Sequence, residues 1–232
     1  MRKLLVAALG VCFCACSATG PAVQPQVDGA TRIEKVDRGA THVEGELGGM
    51  NEEAVASKFE SLKDPIFACV TDGAARVKEL GGHFAISLRI DREGGVKTAY
   101  LAESILGDRA TERCVLDVVR KATWPKPLGG EGIAKRSFDV DAGVEPFAAK
   151  ADRIKPAIAK LAQKINACKS GGRGHFVATA YVKPNGKVKS AGVAPPNADA
   201  EQASDCVVEA IQSLRLGPIA VGRRAAKVTF EI

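Results

Sequence analysis

Seven cysteines are the residues of this sequence best suited to covalent chemistry. Cys12, Cys14 and Cys16 crowd the beginning of the chain, while Cys69, Cys114, Cys168 and Cys206 are spread through the remainder. An even set of four, with no C-x-x-C pair, reads as two disulfides in an exported chain. Zinc ligation and buried free thiols are the alternatives. His83 and His175 also draw attention, because each sits in a Gly-His-Phe triplet. A Cys-Cys-His zinc site can be drawn around each, but a fourth ligand is missing and the spacings fit no zinc motif. Solvent-facing histidines at strand edges are therefore expected, with no bound metal and no cofactor. Gly-x-Ser-x-Gly, His-Glu-x-x-His and a Walker loop are all absent from the sequence. Gly171-Gly172-Arg173-Gly174 resembles an anion cradle, yet nothing around it completes a phosphate-binding motif, so it reads as a turn. The expectation is a chain that is not an enzyme.

The first residues carry an export signal. Arg2 and Lys3 precede an apolar run from Leu4 to Cys14, too short for a membrane-spanning helix, which needs about 20 residues. The run matches the h-region of a secretory signal peptide. It ends Phe13-Cys14-Ala15-Cys16-Ser17, which resembles a bacterial lipobox, with Phe13 where leucine is usual. That resemblance implies a signal peptide over residues 1–15 and a lipid on Cys16. Ser17, not aspartate, after the cysteine implies sorting to the periplasmic face of the outer membrane. Ordinary cleavage near Ala18 or Gly20 is the alternative. Residues 16–50 have few large apolar side chains and no periodicity, so they read as a flexible tether, with at most a short strand near Thr41-His42-Val43.

The positioning elements come from an internal repeat. Gly82-His83-Phe84 recurs as Gly174-His175-Phe176, an offset of 92 that also aligns Gly94 with Gly186, Cys114-Val115 with Cys206-Val207, and Phe138 with Phe230. Between residues 82 and 140 this offset gives 14 identities in 59 positions without a gap. Upstream, Val55, Phe59, Leu62, Ile66 and Cys69 share one helical face, as do Ile154, Ile158, Leu161, Ile165 and Cys168. The first helix is expected to run two turns further in the first copy, through Val70, Ala74 and Val77, until Gly81-Gly82. Strict alternation from Phe84 to Ile90 marks a half-buried strand. Hairpin turns follow at Arg92-Glu93-Gly94-Gly95 and Pro184-Asn185-Gly186, and return strands begin at Val96 and Val188. A second helix covers about residues 108–123, with Cys114, Val115, Val118 and Ala122 inward. Its counterpart turns Cys206, Val207, Ala210, Ile211 and Leu214 inward. The resulting class is α+β: two tandem αββαβ two-layer sandwiches over residues 51–143 and 144–232, each a three-stranded antiparallel sheet with two helices.

This element order, with Gly-x-Val opening the second strand and Trp124-Pro125 before the last, resembles the C-terminal domain of TonB. It is more similar to the variant at the C-termini of the myxobacterial gliding-associated proteins AgmX and PglI. There too a cysteine ends the first helix and another lies in the second. The resemblance covers about residues 52–141 and 147–232, although Leu216-Gly217 replaces Trp124-Pro125 in the second copy. It implies a periplasmic binding or scaffolding module without catalytic residues. Equivalent positions in the two copies favour Cys69–Cys114 and Cys168–Cys206 as the disulfides.

Charge points to a partner class. From Glu145 onward the chain has 14 Lys+Arg against 7 Asp+Glu, a net +7, while the whole chain carries only +6. Lys183, Lys187 and Lys189 surround the second hairpin, and Arg223, Arg224 and Lys227 precede the last strand, forming a candidate basic patch. With 5% aromatic residues there is no stacking platform for nucleic acid. The expected function is that of a non-catalytic envelope lipoprotein, held to the membrane by its lipid. Its expected partner is an envelope protein, peptidoglycan or an anionic surface. An exported metal-binding protein or enzyme using the two histidines is the alternative.

Overall fold

The computed structural model describes residues 35–36, 41–46, 49–149, 154–168, 174–216 and 224–232. All belong to one compact unit that begins at Thr31. The elements run β1 (Lys35–Val36), β2 (Thr41–Glu46), α1 (Glu52–Arg76), β3 (Gly82–Ile90), β4 (Val96–Ser104), α2 (Arg109–Lys121) and β5 (Glu131–Val140) in the first half. The second half continues with β6 (Phe147–Ala148), α3 (Lys155–Cys168), β7 (Val177–Val182), β8 (Val188–Ala194), α4 (Ser204–Gln212) and β9 (Ala226–Glu231). Each half is thus a helix–strand–strand–helix–strand module around an antiparallel three-stranded sheet, ordered β5-β3-β4 in the first and β9-β7-β8 in the second.

The periodicities that specify these elements also build the cores. Phe84, Ile86, Leu88 and Ile90 alternate inward along β3 and meet Val55, Phe59, Ile66 and Val70 of α1. The second core uses Phe176, Ala178, Ala180 and Val182 against Leu161 and Ile165. Trp124 closes the first core, edge-on to Phe59 at 4.7 Å, and its indole N–H donates to the Val119 carbonyl at 3.0 Å. That contact satisfies the one polar group such a ring brings inside.

Three expectations need correction. Helix α1 does extend seven residues past Cys69, but it ends at Arg76, where Val77 turns extended, and not at the glycines. Val77 and Leu80 are both buried in the turn that follows, so packing ends the helix before Gly81-Gly82 is reached. On α2 the inward face is Val115, Leu116 and Val119, with Cys114 and Val118 only partly covered. The face rotates because a second surface, described below, covers Thr111 and Glu112. Part of the segment expected as a tether up to residue 50 is strand. Thr41–Glu46 pair with Arg136–Glu131 along the edge of β5, and Lys35–Val36 pair with its end. Short outer strands flank the expected three-stranded sheets, β1 and β2 on β5 in the first and β6 parallel to β9 in the second.

Candidate functional site

The disulfides are Cys69–Cys114 and Cys168–Cys206, with Cα separations of 5.7 and 5.6 Å. Each ties the first helix of a module to the second. Cys16 lies outside the described residues, as do Arg223 and three of the four residues Gly171–Gly174. His83 is half-buried on the helix-free face of the first sheet, its Nδ1 3.2 Å from Asp139 and its Nε2 3.3 Å from Glu103. The set is not repeated: His175 is exposed, and Pro195 occupies the position equivalent to Glu103. Among the described residues no three His, Cys, Asp or Glu are placed to hold a metal ion.

The basic set divides in two. The pairing of Val182 with Ala226 brings the second hairpin beside the start of β9, so Lys183, Lys187 and Arg224 share one end of the second sheet, all exposed. Lys183, Asn185 and Lys189 line a recess of about 380 Å³ whose floor includes Glu79 of the first module. Lys189 and Lys227, in contrast, do not belong to an open patch. Lys189 Nζ bonds Glu79 at 2.8 Å, and Lys227 Nζ donates to the Gly81 carbonyl at 2.6 Å while lying 5.7 Å over the Tyr181 ring.

These two lysines lead to the polar site that sequence reasoning missed. The second sheet presents Thr179, Tyr181 and Ser190 to the first module, and all three are buried. Tyr181 joins the first module's hydrophobic core, not that of its own module. Two glycines make the approach close enough. Gly107 has φ +69°, and a Cβ there would stand 2.9 Å from both Thr179 and Tyr181. A Cβ on Gly192 would lie 2.2 Å from a Glu112 oxygen.

Helix α2 delivers the charges. Asp108, its N-cap, accepts from Thr111 N–H at 3.1 Å and from the Thr111 hydroxyl at 2.7 Å. The same carboxylate takes Arg76 at 2.7 Å and the Ser190 hydroxyl at 2.7 Å across the junction. One turn on, Glu112 has no exposed surface. It accepts from the Ser104 hydroxyl at 2.7 Å and from the Val193 backbone N–H at 3.1 Å, so it caps the outer edge of β8. Arg109 reaches Glu201 and Asp205, each at 2.8 Å, and Arg113 lies 3.7 Å from Asp205.

Burial acts on every member, and partners decide the outcome. It pushes the Asp108 carboxyl up, but bonds from Ser190, Thr111 and Arg76 outweigh it and hold the group below its ordinary range. The same contest, with Lys189 as the main partner, holds Glu79 low. Glu112 goes the other way: burial dominates its bond from Ser104 and the charge of Arg109, and its carboxyl rises to about 7. Burial also brings the Lys227 ammonium down to about 8 and pushes the Tyr181 phenol up. The arrangement joins two surfaces by paired charges and hydrogen bonds, although Arg109 Nη1 and the Tyr181 hydroxyl are buried there without a hydrogen-bond partner among the described residues. One signal in the sequence pointed here: Tyr181, a large aromatic, occupies the position equivalent to Arg89, on the face opposite the alternating core positions.

The fold and this junction define a paired-module protein with two intramodular disulfides. No protein-family model, curated protein or solved structure matches the chain.

Proposed function

We propose that the chain is a non-catalytic scaffold of the bacterial envelope. In this reading it is exported, anchored through a lipid on Cys16 at the periplasmic face of the outer membrane, and built from two modules of the TonB C-terminal type. The observation that carries the binding role is the shared position of Lys183, Lys187 and Arg224 at the free end of the second sheet, beside the recess over Glu79. The partner that fits three exposed cations is an acidic face on another envelope component. Two intramodular disulfides support an oxidising compartment. The carboxylates of Glu79, Asp108 and Glu112 are engaged by donors of the other module at the junction, which supports holding over turnover.

The test changes Lys183, Lys187 and Arg224 together to glutamine, in a chain whose Cys16 is serine so that no lipid contributes. Association is measured with phosphatidylglycerol vesicles, with lipopolysaccharide and with crosslinked envelope proteins, across a salt series. The unchanged patch should bind one of these in a manner that weakens as the Debye length falls from about 10 Å at 0.1 M to about 3 Å at 1 M. The triple variant should lose that binding. Equal binding by both chains, with equal salt response, would remove the patch from the function.

A further inference from the structure

The charged pairs of the junction have a regularity in their numbering. Arg109 meets Glu201 and Arg113 meets Asp205, and both pairs are separated by 92 residues, the offset that superimposes one copy on the other. Each side chain therefore touches the residue at its own equivalent position. Contact between equivalent positions is the mark of a two-fold axis, because in a self-complementary interface only residues near the axis meet their counterparts. The neighbouring elements agree close to the axis and diverge away from it, where α2 packs on β8 and β4 on β7 without α4 packing equally on β4 or β8 on β3. Strands β4 and β8, themselves equivalent, abut at the junction. The loop before α2 sits on the second sheet, with Gly107 against Thr179 and Asp108 bonded to Ser190. Reciprocally, Ala198, in the loop before α4, borders a cleft over Ser87 and Thr98 of the first sheet. Ser87 and Thr98 are the equivalents of Thr179 and Ser190.

The charges at the axis are opposite in the two copies: Arg109 and Arg113 in one, Glu201 and Asp205 in the other. If the first module met another first module through this surface, arginine would face arginine. A pair of second modules would set acid against acid. We infer that the junction is a quasi-two-fold pairing surface made selective by charge. The first module accepts the second and rejects its own kind, and the partner can come from the same chain or from a second copy. The peptide link between the modules is then not what holds them together. Neither disulfide crosses the junction.

A protease site placed after Gly143, in the segment between β5 and β6, lets the full oxidised chain be cut into two halves. The cut halves should run as one species in native size exclusion. When cut chains with a tagged first half are mixed with untagged cut chains, the tag should capture untagged second halves and leave untagged first halves behind. The variant E201R/D205R places arginine on both sides of the axis and should raise the dissociation constant of the halves by at least about 30-fold. Adding R109E/R113E reverses both sides and should restore most of the binding, which separates lost pairing from lost folding. Immediate separation of the unmodified halves, capture of untagged first halves in comparable amount, or a quadruple variant no better than E201R/D205R would each overturn the inference.

Discussion

Glu112 concentrates the chemistry of the junction in one carboxyl group. It faces Ser104 and Arg109 from its own module, and the Val193 N–H and Glu201 from the other. Its acidity is weakened on folding, from the ordinary 4.5 to about 7. The stability linked to it is therefore fully present below pH 4.5 and is lost as pH rises through about 7. Asp108 and Glu79 have lowered values, so their contributions stand above their ordinary range and are lost on acidification. Opposite slopes on the two sides make the junction tightest in mildly acidic solution. Thermal melts from pH 5.5 to 8.5 should show a decline in the native chain that Glu112→Gln largely removes, since the amide stays neutral throughout. A parallel decline in both proteins would mean that Glu112 does not set the alkaline limb. None of this was legible in the sequence, where Asp108 and Glu112 look like the solvated start of an amphipathic helix. Burial by a surface about 80 residues further along leaves no local periodic trace.

At the scale of elements much more was legible, because the repeat reports on every element twice. Helix, hairpin and return-strand positions follow from alternation and from the shared offset, and Val96 and Val188 do open their strands. The disulfides follow from equivalence. The sequence offers strand β2 only as a possible short strand near Thr41-His42-Val43, because a single strand added to the edge of β5 belongs to no repeat and has only six residues. The two modules differ in how much they need their disulfides. Where the first core has Ile86 and Leu88, the second has Ala178 and Ala180, so less apolar surface stabilises it. Loss of a native disulfide from a small domain costs about 2–5 kcal/mol. Cys168→Ala/Cys206→Ala should therefore unfold the second module at a temperature where Cys69→Ala/Cys114→Ala leaves the first folded. Hydrogen exchange resolved by segment would check this, and equal sensitivity of the two modules would contradict it.

For the molecule as a whole, the structure redistributes the charge that the sequence assigns to the second half. Of the basic residues singled out there, Lys189 and Lys227 serve the junction, so fewer cations face outward than the net +7 suggests. On the proposed anchoring, Cys16→Ser should move the protein from the membrane pellet to the soluble envelope fraction. A processed serine variant that still pellets would place the membrane attachment elsewhere.

Strand β2 also bears on mechanics. Its six residues lie antiparallel on β5, held by one register from Thr41 opposite Arg136 to Glu46 opposite Glu131. At about 3.4 Å per residue they store roughly 20 Å of length. A pull from the upstream end meets the two-residue β1 and then this strand before it meets the rest of either module, while the disulfides keep 45- and 38-residue loops from opening. The chain should therefore yield in steps, first a short release as β2 peels away, then the larger openings of the modules, each truncated by its disulfide. Single-molecule stretching should record an early extension of about 20 Å that reducing agent leaves unchanged. Reductant should lengthen only the later steps. Such a strand acts as slack, taken up and returned without disturbing the fold behind it.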